Sequence, residues 1–353
     1  MPDKINIGLA GLGSIAKNAH IPALSSFKDI NLISAAEADS DYGKKITSKW
    51  KIPNFYSDYT EMIDEGNLDG VFICLPSFLH YDAVKYALKQ NVNVFCEKPM
   101  GLSPKYGREL VEIAKNRDLA LAVGYNHRLD ENNEKAANFV KNLRLGSILQ
   151  INGIIVNAGP YAGWIPHSDW FFKDKYGVLY DSGPHLIDLI MYILSDDITE
   201  ISAKGINTMH SLNVYDNIAC TFKTKKGILG TLNIGWKVSS NYKSVQIHGT
   251  GASLFINPSE IEFRYKTYGP LERISDHVKF TKEIIGTNIK NLINSTATAN
   301  TFYKEDRKFI DALSTGSKPE ATGEDGIRVL EVLEAIKKSI EHEKNINVNL
   351  YEF

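Results

Sequence analysis

The stretch GLAGLGSIA (residues 8–16) decides the fold of the first third of the chain. A short apolar strand pattern over residues 4–10 leads into it, and a helical pattern over about 14–27 follows it. Strand and helix patterns then alternate as far as residue 124, and the run GVFICL (70–75) is apolar throughout, as in a strand buried on both faces. This alternation predicts an α/β domain, a doubly wound parallel sheet with right-handed crossovers.

The glycine spacing within this stretch predicts a dinucleotide site. Residues 11–16 form the pattern G-x-G-x-x-A. In that pattern Gly11 makes the tight turn, Gly13 lets a pyrophosphate approach the backbone, and the alanine allows close packing of the helix on the strand. The free N–H groups at the helix N-terminus, around Ser14 and Ile15, favour the phosphates.

An acidic residue after the second strand pattern favours NAD over NADP. Glu37 ends the pattern NLISAA (31–36), where a carboxylate is expected to hold the adenosine ribose. Such a carboxylate accepts hydrogen bonds from both ribose hydroxyls and repels a 2′-phosphate. Asp39 competes for this role, although its position favours a cap of the next helix. Ser40 could face a phosphate.

The pattern changes after about residue 124, where Gly, Asn and Lys turns separate a series of strand-like segments. These segments predict one large, mainly antiparallel sheet interrupted by helices, an α+β arrangement. The segments are 148–157, 199–209, 214–223, 228–236, 243–248 and 252–256. We therefore expect a dinucleotide-binding domain over 1–125 and a substrate-binding and oligomerisation domain over 126–353. Its last helix, 324–342, is a candidate for packing back onto the first domain.

Composition limits the function further. A length of 353 residues suggests about two domains, and 40 Lys+Arg against 42 Asp+Glu leave no basic excess for nucleic acid. The longest apolar runs fall short of the roughly 20 residues of a membrane helix, and the N-terminus carries no signal-peptide pattern. Three widely separated cysteines show no metal-ligand spacing and are typical of a reduced, cytoplasmic protein.

Several motifs resemble those of one enzyme family. Besides the glycine stretch they are CLPSFLH (74–80), EKP (97–99), GYNHR (124–128), DSGPHLID (181–188) and TGEDG (322–326). Together they resemble the glucose–fructose oxidoreductase, inositol dehydrogenase and rhizopine-catabolism (Gfo/Idh/MocA) family over nearly the whole chain. One local departure is Tyr176-Gly177, where many members have two glycines.

The resemblance implies a Rossmann domain followed by an open-faced, mainly antiparallel sheet that is often an oligomer interface. It implies nicotinamide-dependent oxidation or reduction at a carbinol carbon of a sugar, a cyclitol or a sugar derivative. Lys98, Asp181 and His185 match the family's catalytic positions. The expected cofactor contacts are Gly11, Gly13, Ser14, Ile15, Glu37, Pro76, Ser77, His80, Glu97, Lys98 and Asn126.

Lys98 is the predicted electrostatic partner of the reacting oxygen. The motif EKP closes a strand pattern, and ligands bind outside the carboxyl ends of parallel strands. Pro99 biases Lys98 toward an extended conformation that aims its side chain outward. Hydride removal from an alcohol leaves developing negative charge on oxygen, which an ammonium stabilises. The alternative is a solvated surface lysine.

Asp181 and His185 are the predicted substrate-binding and proton-transfer groups. They lie four residues apart, so they can share one face of a helix whose first turn contains Pro184. The positive end of the helix dipole would lower the pKa of His185 and leave a neutral base, which Asp188 could orient. His185 then takes the hydroxyl proton while Lys98 polarises the oxygen, although these two roles could be exchanged. The alternatives are a structural histidine and a simple helix cap.

Other residues are weaker candidates. Arg128 and Asn126 follow the sixth strand pattern and could touch cofactor or substrate. His80 either contacts the nicotinamide side of the cofactor or stabilises a helix start, whereas His20 is more typical of a core position. The irregular stretch 157–170 could wall a sugar site, because aromatic faces stack on sugar C–H surfaces. Its expected substrate contacts are Tyr161, Trp164 and His167, with structural packing as the alternative.

The leading prediction is a cytoplasmic, NAD-dependent sugar or cyclitol dehydrogenase. It would form a homodimer or homotetramer through the C-terminal sheet and need no metal, nucleic acid or membrane. One alternative is an oxidoreductase that recycles a tightly bound NAD(P) and acts on a nucleotide-linked sugar. Another is a non-catalytic, dinucleotide-sensing regulatory protein. A sensor has no need of the lysine and histidine at the proton-transfer positions.

Overall fold

A six-stranded parallel sheet forms from the first third of the chain, which confirms the predicted doubly wound domain. The strands are β1 (Ile5–Ala10), β2 (Ile30–Ala36), β3 (Asn54–Tyr56), β4 (Gly70–Ile73), β5 (Asn93–Cys96) and β6 (Leu121–Val123). Their spatial order is β3-β2-β1-β4-β5-β6, the order of dinucleotide-binding Rossmann folds. This computed structural model describes residues 4–159, 172, 174–208, 213–236, 238–239, 241–265 and 297–352.

The helices of this half cross between successive parallel strands. They are α1 (Ile21–Ser26), α2 (Ser40–Trp50), α3 (Tyr59–Glu65), α4 (Ser77–Lys89) and α5 (Pro104–Asn116). A π-helical segment, Ala16–His20, joins the glycine turn to α1, so the predicted first helix is one continuous but irregular element. The carboxyl ends of β1, β4 and β5 therefore open on the same edge, where a dinucleotide would lie.

The second half builds an eight-stranded sheet, as the turn-separated segments predict. Its strands are β7 (Ile148–Val156), β8 (Ile198–Ile206), β9 (Asn217–Thr224), β10 (Leu229–Gly235), β11 (Tyr242–Gly249), β12 (Ala252–Ile256), β13 (Ile261–Tyr265) and β14 (Ile346–Asn347). Their order is β13-β12-β11-β7-β10-β9-β8-β14, and the described pairs are antiparallel except β7 with β10. The sequence patterns did not predict β13 or the three-residue β3.

Helices cover one face of this sheet. They are α6 (Glu131–Lys141), α7 (Gly177–Asp181), α8 (Gly183–Leu194) and α10 (Gly323–His342), whereas α9 (Ala297–Thr315) packs on the π-helical segment and α1 of the first half. Gly153 lets α8 approach β7 closely, because a Cβ there would lie 2.7 Å from Leu186. The last helix, α10, also packs on α5, where Arg108 pairs with Glu331. None of the described helices is long and apolar enough to span a bilayer.

The junction between the two sheets positions the site. The strand end of β5 and a 3₁₀ turn at Asn126–Leu129, which follows β6, face the N-terminus of α8. Arg128 in that turn makes a buried ion pair with Asp188 of α8. The division into domains at residue 125 stays a prediction.

Candidate active site

The glycine turn has the geometry of a phosphate cradle. Gly11 has φ +90°, and a Cβ there would lie 2.7 Å from the Cys74 carbonyl oxygen, so only glycine fits the turn. A Cβ on Gly13, by contrast, would meet no atom of the described residues within 4 Å, apart from those of its chain neighbours. The open space above Gly13 adjoins the helical residues Ser14 and Ile15, whose N–H groups begin the helix. These residues therefore fit the pyrophosphate of a dinucleotide.

Glu37 lies beside this cradle, at the end of β2. One carboxylate oxygen accepts a hydrogen bond from Leu12 N at 2.9 Å, and the other accepts one from Asp39 N at 3.3 Å. Asp39 itself caps α2 by accepting a hydrogen bond from Tyr42 N, which is the alternative role predicted for it. A half-buried carboxylate held against the glycine turn fits the adenosine ribose of NAD better than the 2′-phosphate of NADP.

Lys98 reaches across the junction to the second half of the chain. Its ammonium donates a hydrogen bond to the Asp181 carbonyl oxygen at 2.8 Å and lies 3.5 Å from that residue's Oδ1. Its side chain is only 16% exposed, which contradicts the alternative of a solvated surface lysine. The peptide bond that joins it to Pro99 is cis.

Asp181 is fixed from several sides, but it does not share a helix with His185. It ends α7, and α8 begins two residues later at Gly183. Its Oδ2 accepts hydrogen bonds from Trp236 Nε1 at 2.9 Å and from Ser182 Oγ at 3.2 Å. The bend between the two short helices places the Asp181 carboxylate beside Lys98.

His185 stacks on a second histidine. Its ring lies 4.3 Å, centroid to centroid, from that of His127, with 20° between the ring planes. The Nδ1 atoms of both rings are buried and have no hydrogen-bond partner among the described residues. Burial lowers the pKa of His185 well below its usual value, and the positive charges of Lys98 and Lys243 add to the effect. His185 is therefore a neutral imidazole near pH 7, as a general base requires.

Lys243 adds a second positive charge to this region. It lies on the face of β11 that also carries Val245 and Ile247, both of which are buried. It forms no ion pair with any carboxylate in the part of the chain that the structure describes. Burial lowers the pKa of Lys243, an effect that the charge of Asp130 partly offsets.

The predicted pairing of Asp188 with His185 is wrong. Arg128 Nε lies 2.9 Å from Asp188 Oδ2, and its Nη2 donates to Asp188 Oδ1. The remaining Arg128 nitrogen, Nη1, donates to the Glu320 carbonyl oxygen and to Asp325. Arg128 is 7% exposed and its nitrogens bond to protein groups, and its contact with substrate or cofactor stays a prediction. The pair instead joins the 3₁₀ turn to α8 and α10.

His80 and Glu97 also make internal contacts where cofactor contacts were predicted. His80 is 1% exposed, and both ring nitrogens lie 2.7 Å from backbone carbonyl oxygens, those of Pro99 and Leu75. This corresponds to the structural alternative and corrects the predicted nicotinamide contact. Glu97 Oε1 hydrogen bonds to His20, and its Oε2 accepts a hydrogen bond from the Lys98 N–H, so both carboxylate oxygens contact protein groups.

The remaining candidates have mixed outcomes. Pro76 and Ser77 begin α4 just beyond the end of β4, on the cofactor edge of the sheet. Asn126 is buried, its Nδ2 donates to Thr301, and its Oδ1 has no partner in the part of the chain that the structure describes. Cofactor contacts of these three residues stay predictions. The predicted substrate contacts Tyr161, Trp164 and His167 lie outside the described residues.

Sequence comparisons agree with this geometry. Residues 5–125 match the family described as "Oxidoreductase family, NAD-binding Rossmann fold", and residues 133–255 match the "GFO/IDH/MocA C-terminal domain". The chain belongs to the Gfo/Idh/MocA family of oxidoreductases. A myo-inositol 2-dehydrogenase from Thermotoga maritima is 24% identical to it over 98% of each chain.

Solved structures share the fold of this Gfo/Idh/MocA oxidoreductase end to end. A scyllo-inositol dehydrogenase from Lactobacillus casei, with bound NAD(H) and scyllo-inositol, superposes with a TM-score of 0.81 at 19% identity, over 98% of this chain and 99% of the other. The WlbA dehydrogenase from Bordetella pertussis, with NADH and UDP-GlcNAcA, superposes with a TM-score of 0.87 at 18% identity, over 99% of each chain.

Three residues of this oxidoreductase's site escaped the sequence interpretation. His127 stands between the two residues chosen from GYNHR, and its place after a strand end could have marked it. Lys243 lies in β11 and Trp236 follows β10, and no local sequence pattern marks either of them as a site residue. Only the pairing of β7 with β10 and β11 brings them to the junction.

The glycine turn gives a matched pair of tests. In Gly13→Ala the added methyl group meets no atom of the described residues beyond its chain neighbours, so the melting temperature should stay at or above that of the wild type. NADH affinity, measured by fluorescence titration, should fall at least about tenfold because the methyl group occupies the phosphate approach. Gly11→Ala should lower the free energy of unfolding by more than about 1 kcal/mol. Unchanged NADH affinity in Gly13→Ala would place the pyrophosphate elsewhere.

Lys243 should control the protonation of His185. In its predicted role as the base, His185 would act only when neutral, so kcat/KM should fall as pH drops through its pKa. Lys243→Met removes a positive charge that lowers this pKa, so the acidic fall should begin at a higher pH than in the wild type. Lys223→Met, on β9 three strands away in the same sheet and exposed, is the control and should leave the profile unmoved. Identical profiles for all three proteins would show that Lys243 does not act on His185.

Proposed function

We propose that this chain is an NAD-dependent dehydrogenase that oxidises a carbinol carbon of a sugar or cyclitol, or reduces the corresponding ketone. The observation that carries the proposal is the contact of the Lys98 ammonium with Asp181, next to a neutral His185. This group lies at the carboxyl end of β5, on the edge where the glycine turn would hold the dinucleotide. A purely dinucleotide-sensing protein has no use for a charged donor beside a neutral base.

Lys98 and His185 have different roles in the proposed reaction. NAD, when bound, accepts the hydride that leaves the substrate carbon. Lys98 holds its ammonium against the substrate oxygen and stabilises the negative charge that develops there. His185 takes the hydroxyl proton, so the alcohol becomes a ketone and the imidazole becomes an imidazolium. We assign the base to His185 rather than Lys98, because Lys98 already donates to Asp181.

Asp181 orients both the lysine and the substrate. Trp236 and Ser182 occupy its Oδ2, while Oδ1 faces Lys98 and is the oxygen that we expect to accept a hydrogen bond from a substrate hydroxyl. A substrate rich in adjacent hydroxyls suits such an arrangement. The relatives named for inositols and a nucleotide-linked sugar acid support polyhydroxylated substrates as the class.

We also propose that the chain acts in the cytoplasm as a homodimer or homotetramer. The support for assembly is the face of the second sheet that α8 leaves uncovered. Along β7, Asn152 and Ile154 alternate with Gly153, which faces α8, so they lie on the opposite side. Thr231 of β10 lies beside Asn152 there and donates a hydrogen bond to it at 2.9 Å.

Turnover of a substrate panel tests the proposed reaction. NADH or NADPH formation is followed with sugars, cyclitols and sugar acids, each with NAD and with NADP. One substrate class should react, with NAD preferred, and Lys98→Ala should lower kcat at least roughly 100-fold. Lys204→Ala, at a side chain 74% exposed, is the control and should match the wild type. Full activity of Lys98→Ala on that substrate would overturn the proposed chemistry.

A further inference from the structure

A buried charge cluster lies behind the site, outside the groups that the proposed reaction uses. His20 is fully buried, with Nδ1 2.8 Å from Asp306 Oδ1 and Nε2 3.0 Å from Glu97 Oε1. The three residues come from three distant parts of the chain, namely the π-helical segment, the end of β5 and α9. The cluster therefore ties the glycine turn and the lysine strand to a helix of the second half.

The π-helical segment places the His20 side chain among buried aromatic rings. Its wider turn holds one more residue than an α-helical turn, and such segments are frequent at functional sites. The rings of Phe72, Phe95 and Phe302 surround the imidazole, at centroid distances of 5.5, 5.4 and 5.8 Å. Water is thus excluded, and the charges of the cluster act on one another with little screening.

With both facing carboxyl groups ionised, His20 makes both of its contacts only as an imidazolium, although burial also raises the pKa of Asp306. Each ring nitrogen faces a carboxylate oxygen, and a neutral imidazole has only one N–H to donate. Burial alone would lower the pKa of His20, but Asp306 and Glu97 outweigh it and raise the pKa well above its usual value. Glu305, a third buried carboxyl nearby, has its pKa raised well above the usual range, first by burial and then by Glu97 and Asp306.

Glu97 links His20 to the backbone of Lys98. While Oε1 faces His20, Oε2 accepts a hydrogen bond from the backbone N–H of Lys98 at 3.1 Å. The backbone of Gly124 lies against the same carboxylate, because a Cβ there would come within 3.3 Å of it. The direction of the Glu97 side chain therefore fixes the peptide unit from which Lys98 extends.

We propose that His20 is a positioning residue, whose imidazolium holds Glu97 so that the Lys98 peptide stays oriented toward Asp181. The inference rests on the proposed role of Lys98 in hydride transfer. A buried carboxylate without a cation would take up a proton, which weakens its hydrogen bond from the Lys98 N–H, or turn away, which breaks that bond. His20 thus acts on the reaction through two hydrogen bonds and touches neither substrate nor cofactor.

Two amide variants separate positioning from stability. In His20→Gln the side-chain NH₂ can reach the place of Nε2 and keep the bond to Glu97. In His20→Asn it reaches the place of Nδ1 and keeps only the bond to Asp306. Both variants lose the buried charge, so both should melt at a lower temperature. We expect kcat to fall at least roughly tenfold in His20→Asn, with little change in KM. The fall in kcat should be several-fold smaller in His20→Gln.

The possible results separate a positioning role of His20 from a purely structural one. Equal losses of kcat in the two variants, or full kcat in His20→Asn, would show that His20 is only structural. Activity retained by Lys98→Ala would instead overturn the proposed function. ¹⁵N NMR of the cofactor-free wild type needs no variant, and it should show both nitrogens of His20 protonated at neutral pH. A neutral His20 would overturn the inference even if neither variant folds.

Discussion

The contact between the Lys98 ammonium and Asp181 is the constraint on which the site depends. It joins the last residues of the fifth parallel strand to the bend between two short helices of the second half. An ammonium that is only 16% exposed needs oxygen partners, because burying it without them would cost several kcal/mol. The carbonyl and the carboxylate of Asp181 supply those partners, and they leave the lysine facing the edge where the dinucleotide binds.

The surroundings of this contact set the charges in the site. Trp236 and Ser182 hold the far oxygen of the Asp181 carboxylate, so its near oxygen stays with the lysine. The positive charge of Lys98 also keeps the His185 imidazole neutral, together with burial. In the proposed reaction, Lys98 would thus both stabilise the anionic substrate oxygen and keep His185 neutral as the base that receives the proton. This coupling explains why both functions sit at one junction of the fold.

Site residues fixed by a local turn or strand end could be predicted from the sequence, whereas contacts between residues far apart in the chain could not. Gly11 was assigned correctly to the tight turn and Glu37 to the end of the second strand, because a turn geometry and a strand end fix these positions within a few residues. Asp188 was misassigned because its spacing from His185 allows a contact, whereas Arg128, 60 positions away, takes its carboxylate. Lys243 was missed because only strand pairing in the second sheet brings it near the imidazole.

The pH dependence of kcat/KM in His185→Asn tests the central claim most directly. In the wild type, loss of activity at acidic pH should report the protonation of His185, at a pKa below its usual value of about 6.5. The asparagine variant should be slower by roughly 100-fold or more and should lack this acidic fall. A variant that keeps the same fall at the same pH would contradict the assignment of His185 as the base.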